Sequence, residues 1–150
     1  CLILPGENKH EFYKFFELTK KLAEENKDFK FIFRIHPQRD LKYYFKKKYI
    51  VPKNIRISKE KFDDDVKKSF FAIYGGSSAI INCLSQGLWP LYYSYSEINV
   101  DVIFKLKLNN RIIKNSKDFN KLINRNYFKK NFYKIPLFYK NYYEELNLNK

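Results

Sequence analysis

The sequence predicts an α/β fold, a doubly wound (Rossmann-like) parallel sheet of about six strands with helices on both faces. Two features carry the expectation. Short runs rich in Phe, Ile and Tyr alternate with amphipathic stretches of helical period, the pattern of repeated βα units. Glycine- or proline-bearing turns, Pro5-Gly6, His36-Pro37 and Gly75-Gly76, close the first, second and fourth of those runs. Right-handed crossovers then give strand order 3-2-1-4-5-6, which puts the switch point between the first and fourth strands. All three turns fall on the carboxyl rim of the sheet, where such folds bind ligands.

The elements follow in order. Cys1 to Leu4 is an apolar strand stopped by Pro5-Gly6. From Asn8 to Asn26, Phe12, Phe15, Phe16, Leu22 and Ala23 recur at helical spacing among lysines and glutamates. Phe29 to Ile35 is the second strand, and a short basic, aromatic helix is expected over Leu41 to Tyr49. Asn54 to Ile57 makes a third strand. Ser58 then caps a helix over Lys59 to Ser69, with Asp63/Lys67 and Asp64/Lys68 at i,i+4.

Phe70 to Tyr74 is the fourth strand, turned by Gly75-Gly76 into a helix that opens on Ser77 and Ser78. Ala79, Ile80, Ile81, Cys83 and Leu84 make that helix apolar on nearly every side, so it belongs against the sheet, and Gly87 ends it. Trp89 to Ser94 is a fifth strand. Residues 95–108 read as a loop or a short helix around Val100 to Phe104, and Arg111 to Ile113 as a sixth strand. Ser116 caps a last helix built on Phe119, Leu122 and Ile123. The organisation expected is one nucleotide-binding domain over residues 1–126 and an aromatic, basic helical tail over 127–150, divided by Pro136 and packed on that domain.

The 150 residues carry 30 Lys and Arg against 16 Asp and Glu, a net charge of +14. Such a field draws phosphorylated ligands or an anionic membrane surface. Nucleic acid is not expected as a partner, because the lysines are scattered and no nucleic-acid module is present. Two cysteines and two histidines, widely separated, offer neither a disulfide framework nor a metal site. No apolar run reaches the ~20 residues of a membrane span. A chain that opens inside a strand, at Cys1, reads as a piece of a longer protein.

Two constellations carry chemistry. In the first, Gly75 and Gly76 let a ligand approach the backbone while Ser77, Ser78 and the helix tip supply donors, which suits an anion; plain helix capping by a serine is the competing role. The second is Arg34-Ile35-His36-Pro37. His36 can donate to a phosphate oxygen or move a proton, or else bond a backbone carbonyl. Arg34 can clamp a phosphate or pair with an acid beneath the loop.

Arg-Ile-His-Pro, followed by Ile-Tyr-Gly-Gly-Ser-Ser-Ala-Ile and then Gly-Leu-Trp-Pro-Leu-Tyr-Tyr, resembles the C-terminal half of GT-B-fold transferases. The nearest likeness is to bacterial surface-polysaccharide enzymes that use CMP-activated sugars, the capsule sialyl- and Kdo-transferases with "HP" and serine motifs. The likeness spans residues 1–94. It implies a nucleotide-sugar donor, a glycan or lipid-linked acceptor and no metal or other cofactor; the positive charge and the aromatic tail suit a cytoplasmic location, peripheral at the inner membrane face. His36 would be the catalytic contact to the donor phosphate, with Arg34, Pro37, Gly75, Gly76, Ser77 and Ser78 around it. Gly6, Ile57, Ser58, Glu97 and Asn99 would flank the nucleoside and sugar. The acceptor-activating base would come from a missing N-terminal Rossmann-like domain, leaving this piece inactive alone. A CDP-glycerol-type glycerophosphotransferase shares the layout, and a non-catalytic nucleotide- or partner-binding module is the further alternative.

Overall fold

A computed structural model describes residues 1–45, 50–98, 100–105 and 111–123. Within them a six-stranded sheet runs in the order β3-β2-β1-β4-β5-β6, with every neighbouring pair parallel. The strands are β1 (Leu2–Leu4), β2 (Phe31–Arg34), β3 (Ile55–Ser58), β4 (Phe71–Tyr74), β5 (Trp89–Tyr93) and β6 (Ile112–Ile113). The helices are α1 (Lys9–Glu25), α2 (Leu41–Tyr44), α3 (Phe62–Lys67), α4 (Ala79–Ser85) and α5 (Ser116–Ile123). Fold class and strand order are those the sequence predicts.

The first crossover shows why the chain takes this form. Asn8 stands at extended backbone angles and its side chain accepts from the His10 N–H at 2.7 Å, starting α1. Phe12, Phe15, Phe16 and Leu22 then form one buried stripe. Phe12 stacks on Tyr44 of α2 at 3.7 Å between ring centres and meets Phe33 of β2 edge-on at 5.3 Å. On the same face Phe119 of α5 meets Phe31. Alternation along β2 turns Arg34 to the opposite face, where it meets Asp65 of α3. Helices therefore cover both faces.

Several boundaries depart from the sequence expectation. Ser58 is the last residue of β3 and does not cap α3; Lys61 occupies the cap position without a side-chain bond. The Ser58 hydroxyl is spent on Asp65 instead. The i,i+4 pairs of α3 give way to longer links: Lys68 pairs with Glu60 at 2.7 Å, and Asp63 accepts at 3.0 Å from Gln86, which follows α4. Of the loop and the short helix open for residues 95–108, the described residues 100–105 take the loop, a turn anchored by Asp101. Gly87 ends α4 as expected, at φ 85°. Its N–H donates to Leu84 O at 3.0 Å and that of Leu88 to Cys83 O at 2.9 Å, the double closure that a left-handed residue permits. The expected tail 127–150 and the latter part of the Leu41–Tyr49 helix lie outside the described residues.

Candidate site at the switch point

The register of β1 with β4 (Leu4↔Tyr74) and with β2 (Ile3↔Phe33) brings three turns to one rim. Pro5-Gly6 leaves the central strand, His36-Pro37 leaves its neighbour on one side, and Gly75 to Ser78 leaves its neighbour on the other. Two strand spacings, about 10 Å, separate the ends of β2 and β4. A ligand bridging His36 and Ser77 must therefore lie across the end of β1.

Ser77 and Ser78 keep their hydroxyls unspent. Ser78 precedes α4 at φ −66°, ψ −16°, a helical rather than extended conformation, and makes no side-chain capping bond. Neither hydroxyl has a hydrogen-bond partner among the described residues, so the capping role is not the one observed. His36 is half-buried and its Nδ1 accepts a long bond, 3.4 Å, from the Gln38 N–H. A neutral ring that accepts at Nδ1 carries its proton on Nε2, which is then the atom available to donate. Pro37 and Gly76 are exposed, and Gly75 is buried.

Other expected residues have different partners. Of the two roles open to Arg34, the structure takes the acid: its Nη1 donates to Asp65 Oδ2 at 2.5 Å and to Glu60 O at 2.9 Å, over the ring of Phe62. Arg56 Nη2 reaches the other Asp65 oxygen at 2.6 Å. Arg34 and Ser58, the last residues of β2 and β3, are thus engaged in a cluster on the α3 face. Ile57 packs against the core. Glu97 is exposed on the loop after β5, and Asn99 lies outside the described residues.

The rim also holds a side chain that the sequence reading passed over. Glu11, in the first turn of α1, is only 8% exposed, and its Oε1 has no hydrogen-bond partner among the described residues. Its carboxylate fills the space beside both rim glycines. A Cβ on Gly6 would stand 2.9 Å from Glu11 Cδ; one on Gly75 would stand 3.4 Å from Cδ, with Oε1 closer still. Tyr95 flanks the same spot, 3.2 Å from that Gly75 position. Burial first, and then the Glu11 carboxylate, push the Tyr95 phenol up to about 12. The missed signal was spacing: Glu11 shares one helical stripe with Phe15, Leu18 and Leu22, all buried. An acid on an apolar stripe needs a reason.

These placements divide the rim electrostatically. A phosphate 4 Å from a carboxylate is opposed by about 4 kcal/mol per unit charge at an effective dielectric of 20. An anion reached by both His36 and Ser77-Ser78 must therefore ride outside the Glu11 carboxylate and not against Gly75. Val100 lies beside Gly76, 3.5 Å from a Cβ placed there, and marks the outer wall. The flanking cations are engaged: Arg39 pairs with Glu7, and Lys9 and Arg39 both lie over the Tyr43 ring. Among the described residues no cluster of three or more His, Cys, Asp or Glu is placed to hold a metal, and no helix is long and apolar enough to cross a membrane. A cavity of about 750 Å³ opens elsewhere, at the amino ends of β2 and β3 beside Lys27, Asn54 and Arg56.

No family model matches the chain, and neither does any curated protein or solved structure.

Proposed function

We propose that this chain is the donor-binding half of a metal-independent glycosyltransferase, taking a sugar from a nucleotide donor of the CMP-activated type to a surface polysaccharide or glycolipid. The observation that carries the reading is the rim itself: an imidazole and two hydroxyls with unspent donors flank the end of β1 at the switch point of a doubly wound sheet. Breaking the anomeric C–O bond leaves its electron pair on the donor phosphate. Hydroxyl donors from Ser77 and Ser78 and the Nε2–H of His36 stabilise that growing charge without a divalent ion. The acceptor hydroxyl loses its proton to a base supplied by the companion half of the protein.

Transfer assays on the full-length protein test this. His36→Ala and Ser77→Ala should each lower turnover of a CMP-sugar by about 100-fold or more. Unchanged turnover in both variants would leave a partner-binding module as the better reading. Transfer from CDP-glycerol in place of a CMP-sugar would move the chain to the glycerophosphotransferases.

A further inference from the structure

The proposed donor site uses the residues on either side of β1 but not the one above its end. Glu11 is more than nine-tenths buried; the Tyr95 phenol stands beside its carboxylate, and Oε1 accepts nothing from the described residues. Gly6 and Gly75 both give up the volume of a side chain to it. A buried carboxylate with an idle acceptor is costly, and the cost is relieved when a donor arrives. A carboxylate only accepts, so the arriving group must donate hydrogen bonds; a second phosphate is excluded by charge.

The neighbouring acids already have partners. Glu7 pairs with Arg39, and Asp40 caps α2 by accepting from the Tyr43 N–H at 2.8 Å. Asp65 holds Arg34 and Arg56, and Asp101 holds Arg111 and Tyr74. In doubly wound folds an acid at the rim commonly takes paired hydroxyls of a nucleotide ribose, and it usually follows the second strand. Here the turn after β2 presents His36-Pro37-Gln38, with no acid. The acid that lies beside the two rim glycines starts from α1.

We propose that Glu11 is the hydroxyl-recognition residue of this crevice, its carboxylate accepting from a vicinal diol of the ligand whose phosphate rests on Ser77, Ser78 and His36. The inference rests on the donor-site reading and assigns to Glu11 the role that the family resemblance implies for Glu97 and Asn99. Two sources share this chemistry, the ribose of the nucleotide and the sugar it carries.

Calorimetric titration of the full-length protein with CMP, 2′,3′-dideoxy-CMP and a CMP-sugar separates the outcomes. Wild type should bind CMP at least about tenfold more tightly than the dideoxy analogue, the effect of losing a hydrogen bond to a charged acceptor. Glu11→Ala should erase that preference by weakening CMP alone, and Glu11→Gln, which keeps the shape, should reduce it. His36→Ala should weaken both nucleotides equally. If Glu11→Ala spares the CMP preference but removes the advantage of CMP-sugar over CMP, the diol is that of the sugar and the role of Glu11 stands. If Glu11→Ala and Glu11→Gln, folded by circular dichroism, leave every ratio unchanged while His36→Ala weakens binding, the role of Glu11 is overturned and the donor site survives. If wild type binds none of the three, the donor reading falls and takes this inference with it.

Discussion

Asp65 is wholly buried, and its two oxygens accept from Arg34, Arg56 and Ser58, so one side chain ties α3 to the ends of β2 and β3. Burial alone would raise its pKa, but bonds from Ser58, Arg34 and Arg56 outweigh it and hold the carboxyl below its ordinary value. A folded pKa below the unfolded one contributes stability that is present above about pH 3.9 and is lost as pH falls through the folded value. Wild type should therefore lose stability in acid below about pH 4, and Asp65→Asn should flatten that limb of a melting-temperature profile. Asp65→Ala removes the carboxylate shared by Arg34, which keeps the Glu60 carbonyl, and Arg56, which keeps the Glu60 carboxylate, and should cost about 1–3 kcal/mol in urea unfolding. Alternation along β2 told which face Arg34 takes; it could not tell what waits there, because Asp65 lies 31 residues away and its run of three aspartates reads as a solvated helix face.

The turn from β4 into α4 was legible from Gly75-Gly76-Ser77-Ser78, and its end from Gly87, because glycine answers a local backbone demand. What the turn is for was less legible. Gly75 reads as room for a phosphate, whereas the carboxylate of Glu11, from another element, lies against it. That difference is measurable. Gly75→Ala forces a Cβ against Glu11 and Tyr95 and should destabilise the fold by about 1–3 kcal/mol, as overpacking does. Adding Glu11→Ala should recover most of that loss, a coupling visible in a double-mutant cycle of urea midpoints. Simple additivity of the two substitutions would mean that Gly75 is needed for its backbone and not for the space it leaves. Gly87→Ala has open space around it, with nothing within 4 Å of a Cβ, but sits at φ 85°. It should cost about 1–2 kcal/mol through backbone conformation alone, and no partner substitution should restore it.

Across the whole molecule the strand order was readable because each crossover is short and its handedness is nearly fixed, so placing six strands in sequence leaves one sensible sheet. The ties that close the sheet at its far edge were not readable, since they join residues from three separate stretches. Tyr74 of β4 donates to Asp101 Oδ1 at 2.6 Å and accepts from Arg111 Nη1 at 2.8 Å, while Arg111 Nη2 meets Asp101 Oδ2 at 2.5 Å. Arg111 also donates to Ile103 O at 3.3 Å, and all three side chains are buried. The network reaches past β5 to fasten the two-residue β6 and the turn that carries Val100 over Gly76, linking the sheet edge to the rim of the site. A net charge of +14 repels itself at the surface, and salt screens that repulsion over about 8 Å at physiological strength, but a buried pair is screened far less. Arg111→Met should therefore cost about 3–5 kcal/mol at low and high salt alike, by leaving Asp101 charged and buried. Tyr74→Phe should cost about 1–3 kcal/mol, since both of its partners keep each other. Pairing Arg111→Met with Asp101→Asn should recover part of the loss, because no buried charge then remains unmatched. If Arg111→Met instead weakens the fold only at low salt, its guanidinium is acting at the surface, and the far edge of the sheet is held by something other than this buried tie.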